Sequence, residues 1–195
     1  LFFAPGAVWA KSYVVSVNQI VEHPALDEVR QGFMDHFKQA GLQAEYNVHI
    51  AQGNPSTNVQ IANQILGEDP DIVLAISTPS AQACAQKIKN IPILATAVTD
   101  LVAAGLVKSM DKPGANVTGM TDMSPIARQV ELIQEIQPDL KTLGVIYNAG
   151  EVNSVTLVNV LKDVCKAKGL ELVEAPVVNS SGVFQAAKSL VGRVD

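Results

Sequence analysis

Two short turns carry the polar side chains best placed to do chemistry. In YNAGEVNS, residues 147–154, Asn148, Glu151, Asn153 and Ser154 stand where the apolar run Leu143–Tyr147 gives way to helical spacing. In ISTPSAQA, residues 76–83, Ser77, Thr78 and Ser80 stand where the apolar run DIVLAIS meets a second helix. Glu151 is a fixed negative charge, suited to a cation through a charge-assisted hydrogen bond. Thr78 can cap its helix with Pro79 in the first turn, and the unpaired N–H groups and hydroxyls there can hold an anion without any lysine. Asn153 and Ser154, at the start of the other helix, can donate in the same way. Asp100 and Asp122 compete with Glu151 for the cation. These are groups that bind rather than groups that break bonds.

Chemistry that breaks bonds has no comparable signature. GANVTGMT, residues 114–121, has Met120 where a phosphate loop needs its lysine, so the cation that reaches the terminal phosphates is missing. No G-x-G-x-x-G follows a strand, and no G-x-S-x-G forms a nucleophile elbow. His23, His36 and His49 lack partners at metal spacing and fit loops or exposed edges. Strand one closes on Ser16, Val17, Asn18 and Gln19 without the acidic pair of a phospho-receiver domain. The expectation is no catalytic residue, no metal and no cofactor.

The elements that would position the two turns alternate in type. Tyr13–Val17 reads as a strand, 25–40 as a helix with Leu26, Val29, Phe33 and Phe37 on one face and Gly41 at its stop, and 44–50 as a half-covered strand. Helix 56–67 shows Val59, Ala62, Ile65 and Leu66 on one side; the buried strand DIVLAIS, helix 78–90 and strand IPILATAV follow. From about Ser124 the pattern restarts with helix 125–137, strand 143–147, helix 153–168, strand 170–178 and helix 182–192. Strict alternation of this kind predicts doubly wound parallel sheets, whose ligands sit outside the carboxyl ends of the strands. That edge collects Asn18, Gln19 and His23 after strand one, Ser77, Thr78 and Ser80 after strand three, and Thr99 and Asp100 after strand four. Asn148, Glu151, Asn153 and Ser154 occupy it in the second half. Each is also a common cap or turn residue, so their shared edge is the informative part.

The chain repeats itself. FKQAGLQAEYNVHIAQGNPSTNVQIANQILGEDPD (37–71) aligns with CKAKGLELVEAPVVNSSGVFQAAKSLVGRVD (165–195): a lysine-bearing helix end, Gly-Leu, a strand, an Asn/Ser/Gly turn, a Gln-Ala helix, then Gly and Asp. In the first copy Asp71 leads into the third strand. The alignment predicts two similar α/β lobes, 11–121 and 122–195, the second truncated by at least about 50 residues.

Composition narrows the class. The 195 residues are 48% hydrophobic and 17% charged, enough for one sizeable core or two small ones. A net charge of −5 with no Lys/Arg cluster argues against nucleic acid. Leu1–Ala10 carries no charge, and Val8-Trp9-Ala10 has small residues where a signal peptidase reads, so 1–10 reads as the remnant of a secretory signal. Cys84 and Cys165 fall on apolar helical stripes and read as two buried thiols rather than a bridge.

With HPALDEVRQGF, ISTPSAQA, VTD…AGLV…PGANVTG and YNAGEVNS, the chain from about residue 13 onward resembles the periplasmic substrate-binding proteins of ABC transporters. The group is the one related to tryptophan- and phenylalanine-binding components. The resemblance implies a type I periplasmic-binding-protein fold, with hinge strands letting two lobes close over an aromatic or apolar amino acid. It also implies a membrane permease as partner, a periplasmic location and a monomer. The chain departs from the family in length. A sugar-type binding protein and the ligand domain of a regulator are the alternatives, with a small α/β enzyme behind them. A regulator would carry a DNA-binding module where the signal stands. A sugar site favours stacked aromatics, which make up only 5% of this chain.

Overall fold

The computed structural model describes residues 11–195, so the proposed signal remnant lies outside the described residues. The chain forms two compact α/β units. One runs through Ala97 and takes in Leu106–Met120; the other comprises Val98–Gly105 and Thr121–Asp195.

The first unit is built on β1 (Ser12–Gln19), α1 (Pro24–Gln39), β2 (Gln43–Ile50), α2 (Pro55–Glu68), β3 (Ile72–Ile76), α3 (Thr78–Lys87), β4 (Ile93–Val98) and β5 (Val117–Thr121). Its sheet order is β2-β1-β3-β4-β5, with β1 parallel to β2 and β3, and β3 parallel to β4. Val15, Val17, Leu74 and Ile76 meet Phe37 of α1 in an apolar cluster, with the Phe33 ring tilted 37° to that of Phe37 at a centroid distance of 4.7 Å. Burying such side chains contributes about 1.5–3 kcal/mol each.

Three local readings change. β1 runs two residues further than expected, which draws Asn18 and Gln19 into the strand. The buried face of α2 is Asn58, Ile61, Ala62 and Ile65, while Leu66 is exposed. An asparagine takes a core position there because its side-chain oxygen accepts from Ser80. β5 forms where the sequence pattern offers no strand.

The second unit contains α4 (Ile126–Ile136), β6 (Thr142–Asn148), α5 (Val152–Lys168), β7 (Glu171–Val177), a 3₁₀ turn (Ser180–Gly182) and α6 (Val183–Leu190). β6 pairs parallel to β7, from Thr142 opposite Glu171 to Asn148 opposite Val177. It is half-buried along its length, because only β7 flanks it in this sheet. Val130, Leu140, Cys165 and Leu170 form the core. Gly144 lets the end of α6 come close: a Cβ there would stand 3.1 Å from Leu190.

The repeat is physical. After α1, Gly41 (φ 70°) turns the chain and Leu42 N–H donates to the Phe37 carbonyl at 2.9 Å; after α5, Gly169 (φ 69°) does the same and Leu170 donates to Cys165 at 2.9 Å. Asn54 caps α2 by accepting from Ser56 and Thr57, and Asn179 caps the 3₁₀ turn by accepting from Ser181. Asp71 accepts from the Val14 N–H and donates its own to the Val14 carbonyl. Asp195 accepts from Lys141 and Thr142 and donates to the Thr142 carbonyl. Each aspartate therefore clasps the first strand of its unit.

That clasp has a pH signature. The Lys11 ammonium, then the Val14 N–H, hold the Asp71 carboxyl below its ordinary value. A depressed folded pKa contributes stability that is present above the unfolded pKa and lost as pH falls through the folded one. Melting temperature should therefore fall as the pH drops below about 4. Asp71→Asn should melt lower at neutral pH and fall less steeply through the acid window. Equal acid slopes for variant and parent in scanning calorimetry would take Asp71 out of the response.

Candidate functional site

In the first unit the carboxyl end of β3 is strained. Ser77 adopts φ 92° and ψ 158°, a region essentially reserved for glycine, where other residues carry a cost of order 1–3 kcal/mol. It occupies the N-cap of α3, the position expected for Thr78, yet its hydroxyl makes no capping bond. Its N–H donates to Thr96 and its carbonyl accepts from Ala81. The Ser77 Oγ is buried without a partner. Thr78 follows, 3% exposed, in the first turn of α3. Beneath that turn lies a buried polar cluster. Ser80 Oγ donates to Asn58 Oδ1 at 3.2 Å, and Asn18 Nδ2 points to the Asn58 carbonyl and to Cys84 Sγ, each at 3.4 Å. Burial pushes the Cys84 thiol up to about 11 despite the Asn18 contact. Asn18 Oδ1 is left buried and unpartnered.

Gln19 is engaged differently. Its amide donates to the Val21 carbonyl and to Asp27, both at 2.8 Å, and its oxygen accepts from Arg30 at 2.7 Å. With every one of these groups met, Gln19 shapes the loop after β1. His23 is exposed and caps α1, its Nδ1 accepting from the Ala25 N–H at 3.2 Å. A hollow of about 300 Å³ lined by Pro24, Asp27, Glu28, Arg30 and Gln31 lies along α1 and includes none of the expected binding residues. His49, expected at an exposed edge, does lie on the edge strand β2 but pairs with Glu68 at 2.8 Å; Glu68 also accepts from Ser16.

Thr99 and Asp100 serve local turns. The Thr99 carbonyl accepts from Thr121 Oγ1 at 2.6 Å, and Asp100 accepts from the Val102 and Ala103 N–H groups at 2.9 Å. Asp122 is exposed, its N–H donating to Val98.

In the second unit three candidates form one hydrogen-bonded cluster. Asn148 Nδ2 donates to Glu151 Oε1 at 2.8 Å while its oxygen accepts from Gly150. Asn153 Nδ2 points to Glu151 Oε2 at 3.4 Å, and Asn153 Oδ1 is buried without a partner. Glu151 holds the N-cap position of α5 without a side-chain capping bond, so two amides, rather than its own helix, orient the carboxylate. Ser154 stands half-buried in the first turn. Within the cluster the Asn153 amide turns its nitrogen to Glu151 and leaves its oxygen buried. Tyr147 turns away to Glu174, donating at 2.9 Å.

Among the described residues, the buried side-chain atoms without a partner are Asn18 Oδ1, Ser77 Oγ and Asn153 Oδ1. All three belong to residues singled out from sequence. Asn58 was missed, although a lone asparagine on the apolar stripe of α2 was the available signal. Among the described residues no group of His, Cys, Asp and Glu could hold a metal ion, and no helix is long and apolar enough to cross a membrane.

A family model described as ABC transporter substrate binding protein matches residues 14–195. The chain is 44% identical over 185 residues to a tyrosine-binding protein of Clostridioides difficile, covering 93% of this chain and 54% of that one. A Vibrio cholerae conserved domain protein of known structure superposes with TM-score 0.92 at 48% identity, over 95% of this chain and 64% of that chain. A Streptococcus pneumonia ABC domain in complex with L-Trp superposes with TM-score 0.91 at 32% identity and the same coverage. The chain thus spans between about half and two thirds of the length of these relatives.

Proposed function

The chain belongs to the ABC transporter substrate-binding proteins, and on that footing we propose that it carries a free amino acid outside the cytoplasm to a membrane permease. L-Tyrosine and L-tryptophan are the first candidates, on the likeness to a tyrosine-binding relative and to a structure holding L-Trp. The observation that carries this reading is the set of unpartnered buried atoms at the carboxyl-end turns. Leaving such a group unmet costs about 1–3 kcal/mol, so it stands in need of an outside partner. The two turns differ in chemistry. Ser77 and Thr78, with the N–H groups that open α3, supply donors for a carboxylate. Glu151 and Asn153 Oδ1 supply acceptors for an ammonium. The protein acts as a monomeric carrier and returns its ligand unchanged, without a cofactor.

The test is a thermal-shift and calorimetric screen of the full chain against the amino acids. A ligand at a hundred times its Kd should stabilise by about 2.7 kcal/mol. Absence of a shift with every amino acid would sink the reading, and turnover of a ligand would favour an enzyme. Within the reading, Glu151→Gln keeps size and the Asn148 contact but removes the charge. It should weaken the bound amino acid by roughly tenfold or more, the loss of one charge-assisted bond, with the empty protein melting as before. Unchanged affinity would remove Glu151 from the ammonium site.

A further inference from the structure

We infer that Asn58 is a positioning residue, one that fixes the first turn of α3, and with it Ser77, against the end of β1. The inference rests on the amino-acid reading above for its link to binding and on geometry alone for its structural part.

Asn58 lies in the second turn of α2 and is only 2% exposed. Its side chain and its backbone meet two different elements. Oδ1 accepts from Ser80 of α3 at 3.2 Å, and its carbonyl faces Asn18 of β1 at 3.4 Å. Ser80 and Asn18 are fully buried. The start of α2 is itself anchored to the end of β1, because Ala51 donates to the Gln19 carbonyl at 2.9 Å and Gly53 to Ile20 at 2.7 Å. Asn58 therefore carries a fixed reference from β1 through α2 to Ser80. Ser80 is three residues beyond Ser77, in the same helical turn.

Strained backbone persists only where its surroundings over-determine it. The Ser77 N–H is tied to Thr96 on the β4 side. On the α2 side the side-chain tie is Asn58 to Ser80. Removing either member frees the turn to relax toward ordinary backbone and leaves the other polar group buried and unmet. In a buried network the loss of one member leaves its neighbour unmet in a low dielectric, so removal is felt beyond one bond.

The experiment compares Asn58→Ala, Ser80→Ala and the double variant in the full chain, by amide exchange without ligand and by calorimetry with L-tyrosine and L-tryptophan as probes. Amide exchange should quicken at Ser77 and Ala81 in each single variant, relative to the β1 and β3 core of the same protein. Each single should weaken the probe by about tenfold, and the double by about tenfold too rather than about a hundredfold, because members of one network are not additive. Additive losses, or exchange at Ser77 and Ala81 unchanged in both singles, would overturn the positioning role. Should the parent bind neither probe, the carrier reading suffers and the exchange result still decides this one.

Discussion

Ser77→Gly is expected to raise the melting temperature of the empty protein while weakening amino-acid binding. Ser77 stands at φ 92° and ψ 158°, where glycine alone rests without strain. Glycine relieves that strain and removes a buried hydroxyl that no protein group satisfies. Against this stands the wider freedom of glycine in the unfolded chain, about 0.4–1 kcal/mol. The net gain is roughly 1–2 kcal/mol, or on the order of 2–8 °C in a chain of this size. Binding should fall by about tenfold or more, the loss of a hydrogen bond to a charged carboxylate. Ser77→Ala separates the contributions, since it deletes the hydroxyl but keeps the strain. It should bind as weakly as the glycine variant and gain less stability. Calorimetry and thermal melts of the three proteins decide the matter. A glycine variant no more stable than the parent would show that the strain is absent, and parental affinity in both variants would take the hydroxyl out of binding.

Gly119→Ala should have the larger effect on folding. A Cβ at Gly119 would run into the Ala95 carbonyl oxygen, a clash with backbone that no rotamer change can relieve. β5 would have to move off β4, its neighbour in the sheet. Overpacking of this severity costs about 3 kcal/mol or more, and the melting temperature should fall by on the order of 6–12 °C. Gly67→Ala is the control, because nothing lies within 4 Å of its Cβ position. Equal stability of the two variants would mean that β4 and β5 are not packed as described.

Much of this architecture is legible in the sequence because alternation and helical spacing are local. DIVLAIS reads as a buried strand since both its faces are apolar, and the Gly-Leu helix ends read as stops since only a left-handed residue fits there. VTGMT hides as a strand because it is short, carries a glycine and is mostly exposed. Nothing in residues 98–105 marks them as companions of the chain after Thr121. Residue type singles out Ser77, Asn153 and Asn18 but does not say which of their atoms are met inside the fold. Gln19 looked as open to a ligand as Asn18. Only the fold shows that Arg30 and Asp27 occupy it while one oxygen of Asn18 has no partner. Asn58 acts through contacts to residues 22 and 40 positions away, which no local pattern encodes.

The order in which a ribosome releases the chain gives the discontinuous first unit a further meaning. β1 to β4 are complete by Val98, but their sheet takes its last strand from Val117–Thr121. About 20 residues separate the two, which is roughly 1–4 s of synthesis. During that interval β4 is an uncovered edge on a nascent polypeptide, able to pair with the wrong strand. Codon choice across residues 98–116 and the presence of a holding chaperone should therefore govern the yield of active protein more than either does elsewhere in the gene.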